Sequence, residues 1–172
     1  MGHDPLLNQV TFRIRVAVGS TLLAAALFAT TLPAWFSDNP GAGSAPSSGL
    51  IEHWNFWAAA TGAKGAGNWF PIGASETALA EWLGALLALT LVALVLTATE
   101  CRWRLALTTA AAGAASFVVE IVLRVTADSD HQGNPGPHSY NPAGGLALAQ
   151  WVTAAIVAWA LWVMASAIRD SR

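Results

Sequence analysis

A chain of 172 residues with 55% hydrophobic side chains and only 10% charged ones departs widely from ordinary soluble domains, of which about a quarter is charged. Its mean hydropathy of +0.49 leaves too little polar surface to cover a soluble core, so the composition points to a membrane protein. The net charge of −2 supplies no basic field for nucleic acid, and the single cysteine, Cys101, excludes an internal disulfide and a CxxC redox pair.

The apolar residues fall in four blocks, each long enough for a membrane helix of roughly 20 residues. After a short polar lead ending in Arg13 and Arg15, residues 16–36 form the first expected span, with Pro33 near its far end, where a lost backbone donor does least harm. A basic lead before an apolar run also describes a signal peptide, but this run is long and no clean small-x-small cleavage site comes after it. Residues 37–76 form a long polar loop. Its first part is rich in Pro, Gly and Ser and is expected to be irregular. The aromatic-rich stretches 50–58 (LIEHWNFWA) and 68–72 (NWFPI), joined by TGAKGAGN, predict a small two- or three-stranded sheet lying on the membrane.

Residues 77–98 are the second expected span, and Glu100-Cys101-Arg102-Trp103-Arg104 leaves room only for a tight helix–helix turn. Residues 105–126 are the third span, residues 127–144 a second loop with three prolines, and residues 145–168 the fourth span. All 172 residues make one domain. Arg13, Arg15, Arg102, Arg104, Arg169 and Arg172 fall on one side of this layout, and Lys64 and Arg124 on or near the other. The positive-inside rule then puts both termini in the cytoplasm and both longer loops outside, in the plasma (inner) membrane. Trp35, Trp82 and Tyr140 are expected at the outer interface, Trp103 and Trp162 at the inner one.

Within the third span, Glu120 and Arg124 (FVVEIVLRV) are one helical turn apart on one face. Ionisable groups at membrane depth are costly and face the bundle or a cavity, so the two are expected to pair. Thr109, Gly113 and Ser116 continue that face as a small, polar stripe of the kind along which helices approach closely. The second span has a matching face in Thr77, Glu81, Gly84 and Ala88, which would let Arg124 bridge Glu120 and Glu81. Such a trio has two readings: a proton or ion path, or, more economically, a buried ion pair that fixes helix packing.

Other candidates are weaker. His3, His53, His131 and His138 lack metal-ligand spacing and read as loop histidines. Cys101 is flanked by Arg102, which would lower its pKa, but it has no adjacent base and reads as an ordinary loop cysteine. There is no GxSxG elbow, and GAKGAG lacks the closing Lys-Ser/Thr of a phosphate loop. No cofactor is expected. Trp54, Phe56, Trp57, Trp69 and Phe70 read either as interface anchors or as a contact patch for a partner, since tryptophan is enriched at binding hot spots.

Four spans, a long first outer loop bearing Gly49-Leu50 and Trp54/Trp57, a tight inner turn and a shorter second loop resemble the claudin-like tetraspan layout over nearly the whole chain. The claudin loop also carries a Gly-Leu-Trp motif and two cysteines, and both cysteines are missing here. The Ala- and Arg-rich, Lys-poor composition resembles that of actinobacterial proteins, among which small tetraspan accessory subunits of envelope machines such as Mce-type lipid importers occur. The expectation is therefore an all-α four-helix membrane bundle with a small outer cap. It would serve as a non-enzymatic auxiliary subunit, meeting membrane lipids and a larger membrane complex through its helices and aromatic loop. The alternative is a small oligomeric transporter or channel using Glu120, Arg124 and Glu81.

Overall fold

The computed structural model describes residues 5–40, 53–57, 74–133 and 138–170. Four long helices dominate it: α1 (Pro5–Thr30), α2 (Ala74–Glu100), α3 (Trp103–Gly133) and α4 (Gly144–Asp170). Each contains a segment long and apolar enough to cross a membrane: Gln9–Thr30, Ala78–Glu100, Trp103–Thr126 and Gly144–Arg169. The chain is a multi-pass helical membrane protein. Each helix packs on its neighbour in sequence, and α1 also touches α4, closing the bundle.

The first helix corrects the expected span of 16–36. It begins at Pro5, whose missing N–H costs nothing in a first turn, and it stops at Thr30. Pro33 disfavours helical geometry at Leu32, and the last four carbonyls of the helix all find donors. The Thr30 hydroxyl donates to the Leu27 carbonyl at 2.7 Å, and Thr31 donates to Phe28 through both its amide and its hydroxyl. The Leu32 amide reaches Ala29 at 3.3 Å, and Trp35 Nε1 reaches Thr30 at 2.6 Å. No orphan acceptor is left at the helix end, the usual liability of a terminus in an apolar setting.

Beyond this stop the chain turns into a strand. β1 (Ala34–Pro40) is central in a three-stranded antiparallel sheet, between β2 (His53–Asn55) and β3 (His138–Pro142). Phe36 faces Trp54 on one side and Pro142 on the other, with a register irregularity between Ala34 and Phe36. This differs from the expected sheet inside the first loop. The middle strand comes from residues that hydropathy assigns to the end of a span, and the third from the second loop. Residues 68–72 and the expected hairpin turn lie outside the described residues.

The remaining boundaries are close to expectation, except that α3 continues to Gly133, into the expected second loop. Between α2 and α3, Cys101 adopts a left-handed backbone (φ 51°) and its amide donates to Thr97 O at 3.0 Å. That is the single-bond αL stop of a helix. The Arg102 carbonyl then accepts from Leu105 and Ala106, starting α3.

The main core joins bundle to cap. Leu27 of α1, Leu83, Leu87 and Leu94 of α2, Leu123 of α3, and Leu146 and Ile156 of α4 pack with Trp35, Phe36 and Phe56. Trp35 is 1% exposed, so it is a core residue and not the interface anchor expected. At the opposite end a smaller cluster joins Val16, Ala106 and Val163 with Phe12, Cys101, Trp159 and Met164. It ties together the segments that carry Arg13, Arg102 and Arg169. Valines, leucines and tryptophans on the outside of all four helices are exposed, as a surface solvated by lipid requires. Trp82 and Trp151, at 70% and 77% exposure, lie in the cap-side part of α2 and α4, where interfacial aromatics belong.

Candidate functional site

Two features of the bundle carry polar or open geometry. The first is a seam of hydroxyls and one carboxylate running along α3. Thr109, Ser116 and Glu120 are completely buried, because helical spacing repeats them on one side of the span. The seam has two sides. Towards α2, Thr97 Oγ1 lies 3.1 Å from Thr109 Oγ1, and Thr90 Oγ1 lies 3.4 Å from Ser116 Oγ. Towards α4, Glu120 Oε1 lies 3.0 Å from Thr153 Oγ1, and Arg124 Nη1 donates to Gln150 Oε1 at 3.3 Å. Gly113 admits α4: a Cβ there would stand 3.1 Å from Val157 Cγ2.

This corrects the expected charge trio. Glu120 and Arg124 share a face but do not pair. α3 and α4 run antiparallel, so residues one turn apart on α3 meet Thr153 and Gln150, one turn apart on α4. Each side chain reaches across at its own level. Glu81 is exposed and makes no ion pair among the described residues. The α2 face with Gly84 and Ala88 points away from α3, towards α1 and the cap. Glu120 Oε2 has no hydrogen-bond partner among the described residues, although buried polar atoms are nearly always satisfied.

The second feature is a half-open apolar cavity of about 340 Å³ between α1 and α2, beneath the cap. Leu27, Phe28 and Thr31 form one wall, and Gly84, Leu87, Ala88 and Leu91 the other. Phe56 and Trp57 roof it. Phe56 is 2% exposed, packed against Trp35 with ring centroids 5.0 Å apart and planes tilted by 54°, and sits over Gly84, where a Cβ would meet its ring at 3.4 Å. Phe56 is therefore core and not part of the expected partner-contact patch, because the cap folds down onto α2. Trp57 is half exposed, meets Phe56 edge-on at 5.3 Å and donates through Nε1 to Thr31 Oγ1 at 3.0 Å. The Thr31 hydroxyl itself donates to the Phe28 carbonyl. The few polar atoms of the cavity thus satisfy one another and its walls present hydrocarbon. Trp54 lies in β2, and Trp69 and Phe70 lie outside the described residues.

Cys101 sits in the α2–α3 turn, half-buried. Burial pushes its thiol up, and the Arg13 guanidinium on α1 partly opposes this. The expected lowering by Arg102 is not found: that side chain turns to Glu100 at 3.3 Å on the surface.

No family model matches the chain, and no curated protein or solved structure matches it.

Proposed function

We propose that this chain is a non-enzymatic auxiliary subunit of a larger membrane assembly, and that the α1/α2 cavity seats an apolar transmembrane segment of its partner. The observation that carries this reading is the cavity itself: a pocket of about 340 Å³, hydrocarbon-walled, open sideways and roofed by the half-exposed Trp57. Only 17% of the spanning segment of α1 is buried within the chain, against 39% for α3. The helix that forms one wall of the cavity is therefore the least covered of the four. Helix association in lipid relies on close packing, not on a hydrophobic drive, and a cavity of this kind is where a partner side chain gains contacts. Arg13, Arg102, Arg104 and Arg169 at the end opposite the sheet support cytoplasmic termini and an outward cap in the plasma membrane. With that orientation the layout is claudin-like. An Mce-type lipid importer is the first assembly to test.

The test is mild-detergent purification of the tagged chain from its native membrane, beside the Ala88→Phe variant, in which a ring fills the cavity. A stoichiometric larger membrane protein is expected with the native chain and is lost from the variant, while the variant stays monodisperse. A lone protein or homo-oligomer in both preparations refutes the reading.

The transporter reading keeps one residue of its trio. Glu120 is buried at membrane depth, but Glu81 and Arg124 do not join it in a path. Proton flux in liposomes that disappears with Glu120→Gln would favour it.

A further inference from the structure

The Thr153 hydroxyl stands between two oxygens, the Ala149 carbonyl at 2.7 Å and Glu120 Oε1 at 3.0 Å. A hydroxyl has one proton to give. If Glu120 were ionised, both neighbours would be acceptors and one contact would lack a hydrogen. The other hydroxyls of the spans indicate where the proton goes. Thr21, Thr90, Thr108, Thr109, Ser116 and Thr126 each donate to the carbonyl four residues back, at 2.8 to 3.1 Å. Thr153 makes the shortest such bond.

We propose that Glu120 is an intramembrane proton-binding site: it rests as a neutral carboxylic acid, donates from Oε1 to Thr153 Oγ1, and leaves Oε2 as an unpartnered carbonyl-type oxygen. The surroundings fit. An ionised carboxylate needs several donors when taken out of water, and among the described residues Oε2 meets none. The spanning part of α4 carries no charged residue before Arg169, and α2 offers no cation, its charged residues being Glu76, the exposed Glu81 and Glu100. β3, which packs on α3, carries His138 and Tyr140. Arg124, one turn away, is directed to Gln150. Losing the proton would leave two acceptors sharing one hydroxyl at the α3–α4 contact, so proton release and the packing of these two helices are coupled.

Two readouts on the full chain in lipid nanodiscs test this. The infrared difference between the native chain and Glu120→Gln at pH 7 should contain the carbonyl stretch of a protonated acid. Thr153→Val should move that band to higher frequency as its hydrogen bond is lost. A difference containing only carboxylate bands overturns the proposal. Should Glu120→Gln fail to fold, dicyclohexylcarbodiimide on the native chain decides. The acid proton passes to a reagent nitrogen while Oε1 bonds its central carbon. The acyl group then migrates from oxygen to nitrogen, the C–O bond breaking as the C–N bond forms. Nothing leaves, so the peptide containing Glu120 gains one reagent mass. That adduct is expected with the hydrophobic reagent and not with a water-soluble carbodiimide, and its absence with the hydrophobic reagent overturns the proposal.

Discussion

Gly144 and Gly145 are neighbours in the first turn of α4, and the structure assigns them opposite tolerances. A Cβ on Gly145 would stand 2.4 Å from the Ala34 carbonyl oxygen, 2.9 Å from its carbon and 2.9 Å from Trp35 Cδ1. Two of these three atoms belong to backbone at the start of β1, where the Ala143 amide also donates to Trp35 O at 2.7 Å. The shortfall from ordinary contact is roughly 1 Å. It cannot be absorbed by a rotamer change, because Trp35 is fully buried and its indole nitrogen is bonded to Thr30. Either α4 or the cap must shift, and overpacking of this kind costs about 1–3 kcal/mol. At Gly144 nothing lies within 4 Å of a Cβ, and replacing a helical glycine by alanine gains up to about 1 kcal/mol. Unfolding of both alanine variants in detergent micelles, tracked by tryptophan fluorescence against denaturant, separates the two. Gly145→Ala should fall well below the native chain, and Gly144→Ala should match or exceed it. Equal tolerance at the two positions would refute the close approach of α4 to β1, and with it the explanation of how the cap is held on the bundle.

Trp35→Phe keeps most of the ring but leaves the Thr30 carbonyl without its donor, so stability measured in the same way should drop by about 1–3 kcal/mol. No loss would mean that the indole bond does not close the end of α1. Thr97→Val removes the Thr97–Thr109 bond between α2 and α3 and should cost only about 0.6 kcal/mol, the average for interhelical hydrogen bonds in membranes. A loss several times larger would show the seam acting as one cooperative unit. For Cys101 the raised pKa favours the neutral thiol in the fold. Iodoacetamide at pH 8 should therefore modify the native protein more slowly than the unfolded chain, and Arg13→Ala more slowly still. Faster modification of the native protein would contradict this environment.

Hydropathy alone locates the second, third and fourth spanning segments to within a few residues, since long apolar runs in a membrane have almost no alternative to helix. It overruns the first helix because Trp35 and Phe36 are as apolar as the span before them. The stop signal there, Thr30-Thr31 and then Pro33, is present but weaker than the hydropathy. β3 cannot be read from His138-Ser139-Tyr140-Asn141-Pro142. Five polar or turn-forming residues become a strand only because β1, about a hundred residues earlier in the chain, supplies the pairing.

The site is legible in part. Glu120 stands out as a carboxyl at membrane depth, yet its partner is Thr153, 33 residues away. Spacing along one helix points to Arg124 instead. The aromatic residues of the first loop are recognisable as a group. Their division into the buried Phe56 and the half-exposed Trp57 depends on how the cap folds onto α2, which periodicity does not encode.

The most direct test of the central claim is a photo-crosslinking residue placed at Ala88, in the cavity wall, and irradiated in native membranes. Val118, 58% exposed on α3, serves as the lipid-facing comparison. A partner segment seated in the cavity predicts one discrete adduct with a larger membrane protein from Ala88 and none from Val118. Lipid adducts or self-adducts from Ala88, indistinguishable from those at Val118, would contradict it.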